Sequence, residues 1–150
     1  MLNRPLWLAS GSSYRRELLA RLGYPFSWRS PQVDESRLPG EAPAELATRL
    51  ARAKALAVAE ALAAEAGPRG TAAGAAAGTP GALVIGSDQV CALGDECLGK
   101  PGDAAAQAAQ LARLAGHSVV FHTAVCIVAL PDAALPGGCE AAHLDRTVCE

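Results

Sequence analysis

Four apolar residues in a row, Ala82 to Ile85, lead straight into Gly86, Ser87 and Asp88. A run with no polar position offers no face to water, so it reads as a central strand covered on both sides. Such a strand needs helices to cover it, and the flanking sequence supplies them. From Pro43 to about Ala66 the chain is rich in Ala, Leu, Glu and Arg, all good helix formers, with a proline at the first turn and Gly67-Pro68 as the stop. Asp103 caps an Ala-rich helix that runs to Gly116, and Val119 to Leu130 follows as a long β-branched strand. At the N-terminus, Leu6 to Ala9 is a short apolar strand that stops at Ser10, Gly11, Ser12 and Ser13. A helix then carries Leu18, Leu19 and Leu22 at helical spacing, capped by Ser12 or Ser13 and ended by Gly23 and Pro25. Phe26 to Ser30 alternates aromatic and polar residues as a second strand. Strands alternating with helices in this way predict an α/β domain.

Between these elements lie an irregular acidic loop from Pro31 to Pro43 and a Gly, Ala, Thr and Pro stretch at residues 67–81. The latter has little side-chain area to bury and reads as a flexible surface insertion. A hairpin is predicted from Gln89 to Leu93, turning at Gly94-Asp95 and returning over Glu96 to Leu98. His117 and His122 read as strand residues. His143 to Glu150 looks like a strand just beginning, with no helix or turn after it, so the sequence reads as truncated at its C-terminus. At 150 residues and 51% hydrophobic, a single domain over 1–150 able to bury a core is expected.

Charge and cysteine usage exclude several classes. A net charge of -2 with no long Lys/Arg run argues against broad attraction to nucleic acid or to an anionic membrane. The opening apolar run is too brief for a signal peptide core or a membrane span, which predicts a cytoplasmic protein. Five cysteines without CxxC spacing or clustered His read as free, mostly buried thiols.

Several positions can carry chemistry, each beside a plainer reading. Ser10 to Ser13, entering a helix with Arg15 and Arg16 in its first turn, offers free N–H groups and forked donors to an anion; an ordinary serine cap with solvated arginines has the same spacing. Lys54 interrupts the ridge Leu46, Leu50, Val58, Leu62. It either snorkels to water or points its ammonium into a cleft. Asp88, just past a buried strand, stands where α/β proteins place catalytic groups, though a turn-forming Asp fits as well. Asp34-Glu35 either adds carboxylates for a hard cation or is a solvated acidic loop. Lys100 sits between Gly99 and Pro101 after the hairpin, a rigid mount for an ammonium near phosphate. The GxxxxGK[ST] frame is missing, so this is not a P-loop, and neither GxGxxG nor GxSxG occurs, which argues against the usual dinucleotide fold and a nucleophile elbow.

In order and approximate spacing, LASGSSYRRELLARLG, VDES, RLARAKA, VIGSDQV and LGKP resemble the Maf family, also called septum-formation-inhibitor-like proteins. The resemblance implies a mixed, twisted α/β sheet flanked by helices, related to the inosine-triphosphate pyrophosphatases and incomplete here at its C-terminus. It implies hydrolysis of a non-canonical nucleoside triphosphate to the monophosphate and pyrophosphate, with a divalent cation, Mg²⁺ or Mn²⁺. Matched residue by residue, Asp88, Glu35, Lys54 and Lys100 take catalytic positions, and Glu35 and Asp88 the metal positions. Ser10, Tyr14, Arg15 and Gln89 take substrate-binding positions. An aromatic before the Arg pair and Gln after the Asp resemble the 7-methyl-GTP branch, where an aromatic face suits a cationic methylated purine. The implied partner is a nucleoside triphosphate, with no nucleic acid and no membrane; a homodimer is carried as an expectation. A non-catalytic nucleotide-binding or regulatory module, or an inactive truncated product, is the alternative.

Overall fold

Buried residues alternate with half-buried or exposed ones along one eleven-residue strand, Leu83–Leu93, and that strand organises the molecule. The structure is a computed structural model that describes residues 4–66, 81–131 and 138–149. Its elements in chain order are β1 (Leu6–Ala9), α1 (Ser13–Ala20), β2 (Ser27–Arg29), α2 (Pro43–Ala66), β3 (Leu83–Leu93), β4 (Glu96–Leu98), α3 (Ala104–Leu114), β5 (Val119–Ala129) and β6 (Cys139–Cys149). The described strands form one mixed six-stranded sheet in the order β2-β1-β3-β5-β6, with β4 paired to the far end of β3. β1 runs parallel to β2 and β3, whereas β5 is antiparallel to both β3 and β6. The chain is therefore α/β with a mixed sheet.

The core lies between α2 and one face of that sheet. Two adjacent rows of α2 point inward: Leu46, Leu50, Val58 and Leu62 supply bulk, and Ala47, Ala51, Ala55 and Ala59 let the helix lie close. They meet Ala9, Val84, Val90, Ala124, Cys126 and Val128 from the strands. The approach is closest at Gly86, where an added Cβ would stand 2.2 Å from the Ala51 carbonyl oxygen and 2.9 Å from the Ala55 Cβ. Glycine is thus required at the head of the Gly86-Ser87-Asp88 sequence because α2 passes directly over it. Neither α1 nor α3 contains a buried residue, so the helical cover is unequal and the second face of the sheet stays half exposed.

Several sequence expectations change. The apolar run predicts a strand that ends at Ile85, with Asp88 beyond it. β3 instead continues to Leu93, because β5 pairs it from Leu83 to Ala92 and β4 pairs its last residues. Asp88 is beyond the end of β1, whose last pair is Ala9 with Gly86. The final strand is under way from Cys139 and pairs with β5 along its whole length, rather than beginning near His143. Leu22 falls outside α1 and is exposed, since Gly23 with φ 73° already turns the chain. His117 sits in the turn after α3, its Nδ1 3.1 Å from the Ala115 carbonyl; His122 is in β5. Of the cysteines only Cys126 is fully buried, and Cys139 and Cys149 are exposed, as is every residue of the edge strand β6. Burial pushes the Cys126 thiol up from its ordinary value. Residues 67–80 of the Gly/Ala-rich stretch lie outside the described residues.

Candidate active site

Where β1 stops at Ala9, the chain turns through Ser10, Gly11 and Ser12 into α1. Ser10 is buried, and its Oγ accepts the Ser12 amide at 3.1 Å; the Ser12 Oγ accepts the Arg15 amide at 3.3 Å as the helix cap. The serine-cap reading of this loop is therefore correct as far as it goes. The first turn of α1 holds no acid. Its two arginines separate: the Arg16 guanidinium lies 4.0 Å over the Trp28 ring, while Arg15 lines a cleft.

Lys54 does not reach out to water. Only 7% exposed, it places Nζ 2.6 Å from Asp88 Oδ1 and 2.8 Å from Glu35 Oε1. Asp88 is itself buried at 8% exposure, whereas the Glu35 side chain is largely open. A buried cation among apolar ridge residues is stable only when paired, and these two carboxylates pair it. The close passage of α2 over Gly86 brings Lys54 to Asp88, two residues further along β3.

Asp34 and Glu35, adjacent in sequence, have different tasks. The Ser36 hydroxyl and amide both donate to Asp34 Oδ1, at 2.5 and 2.9 Å, closing a local turn and holding that carboxyl below its usual range. Glu35 is left facing Lys54. Further along the loop, Arg49 of α2 forks onto Glu41, with Nε 2.6 Å from Oε1 and Nη2 2.9 Å from Oε2, and also donates to the Ser36 carbonyl at 2.9 Å. Arg49 thereby lowers the Glu41 pKa and ties the acidic loop to the start of α2.

These parts enclose a cleft of about 680 Å³, within the range of small-molecule sites. All eight sequence-predicted residues line it: Ser10, Tyr14 and Arg15 from the first loop and α1, Glu35 from the acidic loop, Lys54 from α2, Asp88 and Gln89 from β3, and Lys100 after β4. Three cations and two carboxylates thus converge from five separate stretches of chain. Sequence reasoning missed Ser30, Ser87, Thr123 and Val125 on the same wall. Thr123 and Val125 lie on β5, and only the β3–β5 register brings them there. Among the described residues, no group of three or more His, Cys, Asp or Glu can hold a metal. No described helix is long and apolar enough to cross a membrane.

Comparison with known proteins matches residues 5–147 to the family described as Maf-like protein. The chain belongs to that family. It is 49% identical over 123 residues to the 7-methyl-GTP pyrophosphatase of Cupriavidus metallidurans, covering 82% of this chain and 53% of that protein. It is 48% identical over 124 residues to the 7-methyl-GTP pyrophosphatase of Pseudomonas putida, covering 83% of this chain and 56% of that protein. This Maf-like chain therefore spans about half the length of the curated relatives it matches. Among solved structures, a HAM1 protein from Coxiella burnetii aligns over 95% of this chain and 71% of its own, at 14% identity and a TM-score of 0.40, too loose a likeness to add to the argument.

Proposed function

We propose that this Maf-like chain carries the machinery to hydrolyse a modified nucleoside triphosphate, 7-methyl-GTP above others, to its monophosphate and pyrophosphate. The observation that carries the proposal is the Lys54 ammonium held between Glu35 and Asp88 in a cleft that Arg15 and Lys100 also reach. A triphosphate needs cations from several directions, and phosphoryl chemistry is catalysed chiefly by positioning and electrostatics. The Ser10 loop and the amino end of α1 favour an anion, and Arg15 offers a fork to it. Asp88 is the residue that orients the attacking water and accepts its proton, while Lys54, Lys100 and Arg15 offset charge gathering on the phosphate oxygens.

The donor set also suits a hard divalent cation, Mg²⁺ or Mn²⁺. Glu35 and Asp88 are the carboxylates of the cleft; each gives one oxygen to the Lys54 ammonium, and their second oxygens, with water and substrate phosphates, would make up the shell. When bound, such an ion would acidify a coordinated water and screen phosphate charge. For the base, Tyr14 presents an aromatic ring that is 65% exposed and lines the cleft, a surface for stacking on a cationic purine. The names of the relatives support the same substrate. One domain over 1–150, a cytoplasmic location and a homodimer complete the proposal; one sheet with one core and five free thiols support the first two.

Pyrophosphate release from 7-methyl-GTP with Mg²⁺ tests the reading. Wild-type chain should release it and Asp88→Asn should not; hydrolysis preserved in a folded Asp88→Asn protein would refute the assignment. A second reading, nucleotide binding without turnover, draws on one observation: Asp88 and Glu35 are both already engaged by Lys54. It expects thermal stabilisation by nucleotide with no product.

A further inference from the structure

We infer that Thr123 is a positioning residue for nucleotide selection, acting by fixing the carboxamide of Gln89; the inference deepens the proposed function and rests on its cleft. Gln89 and Thr123 are directly opposed in the antiparallel β3–β5 pair, so their side chains leave the same face of the sheet side by side. Gln89 Nε2 donates to Thr123 Oγ1 at 2.9 Å, and both residues line the cleft.

Gln89 is exposed, and a free glutamine at an open rim samples many rotamers that binding must freeze. Thr123 removes much of that freedom in advance. Its β-branched side chain has a stiff χ1, so the hydroxyl is a fixed anchor rather than a second mobile group. With Nε2 turned to Thr123, the amide oxygen Oε1 is left as the acceptor available to the cleft, suited to an N–H donor on the incoming nucleotide. Gln89 also follows Asp88 directly, and Ala124, the partner of Asp88, follows Thr123. One strand register therefore fixes the selecting amide and the reactive carboxylate together, and a ligand that satisfies the amide is seated in a set relation to Asp88.

The role separates from a structural one by its kinetic signature. Thr123→Val keeps the shape and the β-branch but loses the hydroxyl. It should lower the preference for 7-methyl-GTP over UTP about five- to tenfold, the scale of one hydrogen bond, through KM, with kcat held within about twofold. Thr123→Ser should restore most of the preference. Gln89→Ala should lose as much, and adding Thr123→Val to it should cost nothing more, because residues acting through one contact are not additive. An unchanged nucleotide preference in Thr123→Val, or fully additive losses in the double variant, would overturn the inference. Should wild-type chain bind nucleotides without hydrolysing them, the hydrolase reading fails while this one is decided by the ratio of Kd values for 7-methyl-GTP and UTP across the same variants. Wild-type chain that binds neither nucleotide overturns both.

Discussion

α1 and α2 both deliver a cation to the cleft, yet they stand in opposite relations to the core. α2 buries two full rows against the sheet and inserts Lys54 into one of them, so its functional residue is surrounded by the residues that hold the fold. α1 has eight residues, buries none of them and is held by a serine cap and a ring contact at Trp28. One site therefore draws on two kinds of support. Geometry at Lys54 and Asp88 is set by close packing and should be rigid; geometry at Arg15 and Tyr14 is set by a cap and should yield more readily to a ligand.

Substitutions can break that contrast in graded steps. The largest effect is expected at Asp88, where Ala should lower kcat for pyrophosphate release by about a thousandfold, the scale of a lost general base, while circular dichroism retains the folded spectrum. Next, Leu62→Ala opens a void beneath a side chain that is 1% exposed and should cost about 3 kcal/mol in denaturant unfolding. Gly86→Ala forces α2 off β3 and should lower stability by about 2 kcal/mol and turnover together, since the same close approach aims Lys54. Arg15→Ala should raise KM about tenfold with the melting temperature unchanged, because its helix contributes nothing to the core. A fall in stability equal to that of Leu62→Ala would erase the distinction between the helices.

The smallest effect is one of pH. Asp34 and Glu41 have folded pKa values held below their ordinary 3.8 and 4.5, Asp34 chiefly by the Ser36 hydroxyl and Glu41 chiefly by Arg49. Groups depressed in this way add stability that is complete above the ordinary values and is lost as pH falls through the lower folded ones. Amide protection at Ser36 and Leu38, whose N–H groups donate to these carboxylates, taken relative to the intrinsic exchange rate at each pH, should hold from neutral pH down to about 5 and fall below about 4. Protection lost between pH 7 and 5 would point to another group.

How much of this was readable from residues alone follows from the range of each interaction. α2 was legible from end to end, because propensity, a proline start and a Gly-Pro stop are all local. Lys54 stood out as a break in a ridge, and Asp88 as an acid after an apolar run. Pairing was not legible. That β3 runs past Asp88, that β6 begins at Cys139 and that Thr123 faces Gln89 all depend on register between distant segments, which no single stretch records. The division of labour between Asp34 and Glu35 was equally hidden, since it turns on Ser36 closing a local turn on one and Lys54 reaching the other.

The most direct test of the account is a crystal structure of the chain with a 7-methyl-GTP analogue whose α–β bridge resists hydrolysis. The account predicts phosphates lying among Arg15, Lys54 and Lys100, with the bridging position facing Asp88. Phosphates bound elsewhere on the molecule, or seated in the cleft with Asp88 turned away from the bridge, would contradict it.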